Sequence, residues 1–152
     1  MSFSFDTSAF IEPWTRRYPP DLFGPIWTWL ERLVDGDAIT AIDEVKHEIH
    51  RQEDGLTDWT KAQTKLFIAP STDVQEALRH VLAAFPNLAD HERDRSGADP
   101  WVIAHALSSG LSVVTYETMG KQHKPKIPNA CAHFGIPCLT LVDVLRQTGF
   151  RA

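Results

Sequence analysis

Short β-type segments alternate with longer helical segments along most of this chain. Apolar and β-branched residues concentrate in runs at 3–5, 38–42, 111–115 and 136–141, as is typical of buried strands. Apolar residues recur at helical spacing in the segments 22–36, 43–53 and 98–110. Because a helix between two strands lets them run parallel, this alternation predicts an α/β fold. We expect helices on both faces of a central, mainly parallel sheet of roughly four to five strands.

Two consecutive helical patterns interrupt this alternation in the middle of the chain. They cover 56–69 and 73–85, and the second ends before Pro86. No strand is predicted between them, so we expect a helical hairpin that stands off the sheet. A polar and charged loop is predicted over 87–97.

The length and composition predict one domain over residues 1–152. The chain has 152 residues, of which 43% are hydrophobic and 23% are charged, which allows a core without a disulfide or a structural metal. The formal net charge of −5 argues against capture of nucleic acid by a broadly basic surface. A local basic patch remains compatible with this charge.

The cysteines and the N-terminus predict a cytoplasmic protein. Cys131 and Cys138 fit the spacing of neither a C-x-x-C redox pair nor a zinc knuckle, so we interpret them as reduced core thiols. The first residues, MSFSFDTS, lack the basic start and apolar run of a signal peptide. No apolar stretch approaches the length of about 18 residues that a membrane span needs, so we expect no membrane association.

Three acidic residues follow predicted strands or begin a predicted helix. Asp6 ends FSFD, Asp99 lies in SGADPW, and Glu117 ends SVVTYE. Ligands of alternating strand–helix folds bind outside the carboxyl ends of the strands, so these acids are expected to converge. Converging carboxylates without a cation would repel one another. The sequence therefore predicts a site for a hard divalent cation such as Mg²⁺ or Mn²⁺.

The order of these motifs resembles a known family. FDTSAFI, an acid on the helix after the second strand, ADPWVIAHAL, VVTYE and the ending FGIPCLTLVDVLRQTGF together resemble the PIN-like domain family of VapC-type toxin ribonucleases, as a divergent branch. The resemblance spans nearly the whole chain. It implies a three-layer α/β/α PIN-like fold and a Mg²⁺- or Mn²⁺-dependent ribonuclease, the toxin of a type II toxin–antitoxin pair. It also implies a cognate antitoxin as partner, and a homodimer.

The resemblance assigns catalytic and metal-binding roles to four acids. They are Asp6, Glu48, Asp99 and Glu117, and the alternative to Glu48 is Glu44, which lies on the same helical face four residues earlier. The last position of the family is more often Asp, so Glu117 reaches one methylene farther than usual. The chemistry suits these residue types, because a cation held by carboxylates neutralises phosphate oxygens and activates a water.

Polar neighbours of the acids are candidates for supporting roles. Ser8 and Thr115 are predicted to orient a ligating carboxylate or water, and Thr7 is expected to point to the opposite side. Basic residues are predicted to guide an RNA backbone toward the acids. One bank, or side of the expected RNA groove, lies in the loop after Glu117 and consists of Lys121, Lys124 and Lys126. The second bank precedes Asp99 and consists of Arg93 and Arg95.

The tryptophans bear on partners. Trp27 and Trp29 cannot both face one core from a regular helix, so one of them is predicted to lie at a surface used by a partner or by a second copy of the chain.

Two other functions compete with the ribonuclease. Aspartate-based phosphatases need a second Asp two residues after the first, where this chain has Ser8. A PIN-like module without strong activity, acting in nucleic-acid or protein binding, is the remaining alternative.

Overall fold

Five parallel strands form the central sheet of the protein. The structure is a computed structural model that describes residues 1–88 and 97–152. The strands run in the order β3-β2-β1-β4-β5, and every neighbouring pair is parallel. Their bounds are β1 Phe3–Phe5, β2 Ile39–Ile42, β3 Phe67–Ile68, β4 Ser112–Val114 and β5 Cys138–Leu139. The predicted α/β fold with a parallel sheet is confirmed.

Helices connect the strands and cover the sheet. They are α1 Ser8–Glu12, α2 Gly24–Asp35, α3 Asp43–Ile49, α4 Gly55–Ala62, α5 Thr72–Ala84, α6 Asp99–Ser109, α7 Ile127–Phe134 and α8 Leu141–Gln147, and a π-helical turn Pro13–Arg17 follows α1. In the described residues the longest helix, α5, has 13 residues. No helix among them has the length and hydrophobicity that a membrane crossing requires.

Helix α6 lies between the sheet and α5, which explains its composition. It packs against β1, β2 and β4 on one side and α5 on the other, and seven of its residues are buried. A helix enclosed in this way is apolar on most of its faces. Gly110 ends the helix in the left-handed conformation, with φ 66°, and the chain then enters β4 directly.

The predicted helical hairpin at 56–85 is wrong in one respect. Helix α4 ends at Ala62, and β3 follows it and extends the sheet by pairing with β2 in the register Ala41↔Phe67 and Ile42↔Ile68. The strand has two residues, and so short an apolar run cannot be distinguished from a helical segment by periodicity. The last predicted strand is likewise shorter, because Leu141 already begins α8.

Both tryptophans of α2 pack within the chain. Trp27 is buried between Trp14 and Trp59, with ring centroids 4.8 Å and 5.1 Å away. Trp29 packs edge-on against Phe150 at 5.8 Å, and its indole N–H donates to a threonine hydroxyl of the C-terminal segment. The C-terminus of the same chain therefore explains the position of Trp29 without a partner.

The two cysteines differ in burial. Both are free thiols, with Cys131 buried in α7 and Cys138 exposed in β5. The prediction of a core thiol is correct for Cys131 and wrong for Cys138. Strand β5 has β4 as its neighbour and ends the sheet on that side, and side chains of an edge strand can reach solvent.

Candidate acidic active site

Asp6 lies at the carboxyl end of β1, the central strand. Its N–H donates to the carbonyl of Val114 at 3.0 Å, so it ends the ladder between β1 and β4. Its side chain is buried, and its Oδ2 accepts hydrogen bonds from Ser8 Oγ at 2.7 Å and Thr115 Oγ1 at 2.9 Å. The structure thus brings Ser8 and Thr115 into direct contact with Asp6.

Backbone amides fix the orientation of the two hydroxyl groups. Ser8 Oγ accepts the N–H of Tyr116 at 2.9 Å, and Thr115 Oγ1 accepts the N–H of Glu117 at 3.0 Å. Each hydroxyl has one proton to donate and lies within hydrogen-bond distance of Asp6 Oδ2, and the two hydroxyl oxygens lie 3.1 Å apart. The segment after β4 therefore holds the Asp6 carboxyl in one orientation.

Thr7 connects the second predicted acid to this network. Its Oγ1 donates to Glu48 Oε1 at 2.5 Å, so the expectation that Thr7 points away from the acids is wrong. Strand alternation ends before this residue, because Thr7 already has helical dihedrals, φ −53° and ψ −44°. Glu44, the alternative to Glu48, instead faces His47, with Oε2 and Nδ1 3.7 Å apart. The geometry favours Glu48 over Glu44.

Glu117 lies beside the start of α7. Its Oε2 accepts the N–H of Ile127 at 3.2 Å. The pKa of Glu117 is raised to about 7, first by burial and then by the negative charges of Asp6 and Glu48, while the hydrogen bond from Ile127 and the positive charge of Lys126 oppose the rise. Burial also raises the pKa of Asp6, although its hydrogen bonds favour the charged form. The carboxyl groups of Asp6, Glu48 and Glu117 therefore act on one another electrostatically.

The register of α6 on β1 places Asp99 at the same edge. His105 of α6 hydrogen bonds to Ser4 at 2.9 Å, and α6 runs antiparallel to β1 because its C-terminus leads into the parallel strand β4. Two residues along the strand, from Ser4 to Asp6, span roughly 7 Å. Six residues back along the helix, from His105 to Asp99, span about 9 Å. Asp99 is buried at the start of α6, at about the level of Asp6.

Comparison with known proteins identifies the family. A profile described as "Domain of unknown function (DUF4411)" matches residues 3–152. The chain belongs to the DUF4411 family. Comparison of this DUF4411 protein with curated proteins finds no match.

A solved structure shows the fold of the DUF4411 protein. The chain is similar to one in the crystal structure of VapBC2 from Rickettsia felis bound to a DNA fragment from their promoter, with a TM-score of 0.52. The alignment covers 92% of this chain and 98% of that chain at 13% sequence identity. A likeness at this identity concerns the fold. The predicted PIN-like α/β/α architecture is confirmed.

The acidic residues of the DUF4411 protein suit a hard cation in their chemistry. In residues 1–88 and 97–152, no three carboxyl, imidazole or thiol groups lie close enough together to form a ready metal cluster. Mg²⁺ usually takes one or two protein carboxylates and keeps several waters, so a sparse set of oxygen donors is compatible with it. Burial disfavours the charged forms of Asp6 and Glu117, and a divalent cation would supply the missing positive charge. The carboxylate oxygens of these acids are therefore donors of the kind that a hard divalent cation prefers.

Asn129 gives the basic loop after Glu117 a defined shape. Its Oδ1 accepts the N–H groups of Gly120 at 2.7 Å and Lys126 at 2.9 Å, and its Nδ2 donates to the Gly120 carbonyl. A β-bridge joins Lys121 to Lys124. A Cβ at position 120 would lie 2.4 Å from the Lys124 carbonyl oxygen, so only glycine fits there. The lysines of this loop are exposed, and Arg93 and Arg95 of the second predicted bank lie outside the described residues.

Sequence reasoning did not predict the contact of Thr7 with Glu48 or that of Arg17 with Tyr116. The prediction for Thr7 is wrong, although the turn-forming Asp-Thr-Ser sequence indicates that strand alternation stops there. Arg17 had no signal, because its position depends on a π-helical turn. Its guanidinium carbon lies 4.3 Å from the centre of the Tyr116 ring.

Proposed function

We propose that this DUF4411 protein is a Mg²⁺- or Mn²⁺-dependent endoribonuclease that hydrolyses RNA phosphodiester bonds. The proposal is carried by one observation: Asp6, Glu48 and Glu117 act on one another at the carboxyl edge of a parallel sheet with a PIN-like fold. Ligands of such sheets bind at that edge. The resemblance of the sequence motifs to VapC-type ribonucleases supports the same reaction.

Four carboxyl groups would hold the cation, directly or through its bound waters: Asp6, Glu48, Asp99 and Glu117. When bound, the cation supplies charge neutralisation at the phosphate oxygens and a lowered pKa for a water nucleophile. The hydroxyls of Ser8 and Thr115 fix the Asp6 carboxyl through their hydrogen bonds to Oδ2. Thr7 holds one oxygen of Glu48. The protein therefore orients its acids before any substrate arrives, which lowers the reorganisation cost of the reaction.

The loop formed by residues 120–126 would contact the RNA backbone. Lys121, Lys124 and Lys126 are exposed in it, and the charge of Lys126 acts on Glu117. Phosphate contacts of this kind position a strand without reading its sequence. Arg93 and Arg95 are proposed for the second bank on the sequence pattern alone.

We further propose that the protein is the toxin of a type II toxin–antitoxin pair, acts in the cytoplasm, and is neutralised by a cognate antitoxin. The fold neighbour is VapBC2, a complex bound to promoter DNA, and the sequence motifs resemble VapC-type toxins. A homodimer is part of the same proposal. Co-expression with the product of an adjacent small gene, followed by co-purification, tests the antitoxin partner. Growth arrest by the chain alone and rescue by that product is the expected result.

Cleavage of RNA tests the enzymatic proposal. Purified protein should cut mixed RNA in Mg²⁺ or Mn²⁺ and stop when EDTA is added. Asp6→Asn and Asp99→Asn should each lower the rate at least about a hundredfold, because each removes a charge that holds the cation. Asp58→Asn, at an exposed position of α4, is the matched control and should cut like the wild type. Cleavage that persists in both site variants would refute the assignment.

The second candidate function is a PIN-like module that binds nucleic acid or protein without strong activity. It is favoured by the lack of a ready three-group metal cluster in the described part of the chain. Failure of every form to cut RNA, combined with binding of RNA or of a partner protein, would support this function instead.

A further inference from the structure

We propose that Asn129 is a positioning residue, which holds loop 120–126 closed and thereby holds Lys126 beside the acidic site. Asn129 is the third residue of α7, which begins directly after the loop. The inference rests on the proposed function in the part that concerns contact between loop 120–126 and an RNA backbone. It adds a residue that would touch no RNA itself but would decide where a lysine meets a phosphate.

One short side chain joins the two ends of loop 120–126. Asn129 Oδ1 accepts the N–H of Gly120 at 2.7 Å and the N–H of Lys126 at 2.9 Å, and Nδ2 donates to the Gly120 carbonyl at 3.0 Å. The amide oxygen has two lone pairs, and both are used for the loop. Removal of this amide would break the bonds that connect the first residue of the loop to the last.

The closed loop fixes the base of the Lys126 side chain. A Cβ at position 120 would lie 2.4 Å from the Lys124 carbonyl oxygen and 2.9 Å from Lys126 Cγ. The stem of Lys126 thus packs over Gly120. Within the loop, the N–H of Lys124 donates to the Lys121 carbonyl at 3.0 Å, which closes a tight turn. The position of Lys126 therefore depends on Gly120, and Asn129 holds both residues.

Two observations connect this end of the loop to the acids. The N–H of Ile127, the residue after Lys126, donates to Glu117 Oε2 at 3.2 Å. The positive charge of Lys126 opposes the rise in the pKa of Glu117, and the negative charge of Asp6 contributes to that rise. Lys126 is therefore within electrostatic reach of Glu117, which is itself within reach of Asp6.

A cation at a fixed place next to Glu117 has a use in the proposed reaction. An RNA backbone that approaches Asp6 and Glu117 is repelled by their negative charges. A lysine on a loop of fixed shape offsets this repulsion at one place, whereas a lysine on a flexible loop must first be ordered, at a cost in conformational entropy. Asn129 would lower that cost although it carries no charge.

Binding of a labelled single-stranded RNA oligonucleotide tests the inference. Fluorescence anisotropy is measured with Ca²⁺ in place of Mg²⁺ at several salt concentrations, with intact RNA verified on a gel. Asn129→Ala changes no charge, yet it should raise Kd about fivefold and reduce the slope of log Kd against log salt by up to about 0.7, the value of one phosphate contact. Gly120→Ala opens the loop from its other side and should have the same effect. Asn87→Ala, at an exposed position after α5, is the matched control and should bind like the wild type.

A double-mutant cycle with Lys126 distinguishes positioning from general stabilisation. Lys126→Ala should raise Kd about tenfold in the wild type but less than about threefold in Asn129→Ala, because the lysine has already lost its position there. Lys65→Ala is the control for the cycle. Lys65 Nζ lies 3.4 Å from Asp37 Oδ1, just before β2 and at the opposite edge of the parallel sheet. Its removal should change Kd less than about twofold in either background.

Three results would overturn the inference: Asn129→Ala that binds as tightly as Asn87→Ala, equal effects of Lys126→Ala in both backgrounds, and a wild type that binds no RNA. Cleavage kinetics give a further check, because Asn129→Ala should raise KM by more than it lowers kcat. A lowered Tm with unchanged Kd would assign Asn129 a role in stability alone. If Asn129→Ala does not fold, the cycle is run with Gly120→Ala, and additive effects there overturn the inference.

The two proposals fail in different ways. If the protein binds RNA in an Asn129-dependent manner but cuts none, the inference stands and the ribonuclease proposal fails. If it cuts RNA and Asn129→Ala binds like Asn87→Ala, the ribonuclease proposal stands and the inference fails.

Discussion

Strand β1 carries two buried polar side chains that differ in how their burial is compensated. Ser4 lies in the middle of the strand and hydrogen bonds to His105 at 2.9 Å. Asp6 lies two residues further, at the edge of the sheet, among Glu48 and Glu117. Residues two apart on a strand share a face, so the same face of β1 changes from a closed polar pair to an open group of acids.

The Ser4–His105 pair is satisfied within the chain. Burial lowers the pKa of His105 to about 4, so the imidazole is neutral at neutral pH and can bond to a neutral hydroxyl. A buried polar group costs little free energy when its partner is provided. This pair therefore stabilises the contact of α6 with β1 and is a structural feature.

The acids have the opposite property. Burial raises the pKa of Asp6 and of Glu117, so their charged forms are disfavoured in the protein alone. Perturbed carboxyl groups that converge in space are typical of functional sites. The comparison teaches that burial alone does not mark a site. The candidate site differs in that several buried or half-buried carboxyl groups lie close enough to shift one another's pKa.

The two regions make opposite contributions to the pH dependence of stability. His105 has its pKa lowered from 6.5 to about 4, so its contribution is lost as the pH falls below 6.5. Glu117 has its pKa raised from 4.5 to about 7, so its contribution is lost as the pH rises above 4.5. The contributions of His105 and Glu117 to the free energy of unfolding oppose each other between pH 4.5 and 6.5. Replacing one of the two residues should therefore reveal the pH dependence that comes from the other.

The largest expected effect concerns His105. In the double variant Asp6→Asn, Glu117→Gln, which removes both acids with a raised pKa, the free energy of unfolding should rise with pH between 4 and 6.5, because protons bind the unfolded imidazole more tightly. The gain should be about 3 kcal/mol, because the pKa of His105 is lowered from 6.5 to about 4. Urea unfolding at a series of pH values measures it. Adding His105→Gln to this variant should flatten the curve over this range, and a curve that keeps its slope would contradict the assignment.

A double-mutant cycle sharpens this prediction. Ser4→Ala should cost about 1–3 kcal/mol, because it leaves the buried imidazole without its partner. The double variant Ser4→Ala with His105→Leu should be more stable than the sum of the two single changes predicts. Additive losses would show that the two side chains do not act as a pair.

The next effect concerns Glu117. In His105→Gln, without divalent cations, the free energy of unfolding should fall as the pH rises from 4.5 to 7, by about 2 kcal/mol, since Glu117 is partly exposed. Mg²⁺ should reverse the loss above pH 7, because a cation favours the charged carboxyl. Thermal melts with and without Mg²⁺ measure both effects. Glu76→Gln, at an exposed position of α5, should leave the slope unchanged, whereas Glu117→Gln should reduce it and leave the part that comes from the raised pKa of Asp6.

The fold was largely accessible from the sequence because its signals are local. The strands β1, β2, β4 and β5 are apolar runs followed by caps or turn residues, and α6 begins with Pro in its first turn. The strand β3 escaped prediction because two residues give no periodicity, and its identity depends on pairing with β2. Tertiary pairing therefore decided what local pattern could not.

The sequence allowed the location of the site to be predicted, but not the orientation of its side chains. The acids could be expected at one edge, because parallel strands bring their carboxyl ends together. The choice between Glu44 and Glu48, the direction of Thr7 and the position of Arg17 depend on helix rotation and on the π-helical turn. A single sequence carries no local signal for these orientations.

The smallest expected effect concerns Thr7, which distinguishes an acid held by the chain from one that is free to move. Thr7→Val removes the hydroxyl that donates to Glu48 Oε1 and keeps the shape of the side chain. We expect the Mg²⁺ concentration for half-maximal cleavage to rise about tenfold, as is typical when the partner of a metal-binding group is lost.

Two variants make this test specific for the hydrogen bond. Thr7→Ser restores the hydroxyl and should restore most of the Mg²⁺ dependence of the wild type. Thr72→Val, at an exposed helical position, should leave it unchanged. Since the Thr7 hydroxyl orients Glu48 and not Glu44, Glu44→Gln should keep near wild-type cleavage, and Glu48→Gln should be impaired at least as strongly as Thr7→Val. Equal behaviour of Thr7→Val and Thr72→Val would show that Glu48 needs no support from Thr7, and a stronger loss in Glu44→Gln than in Glu48→Gln would transfer the role to the earlier acid.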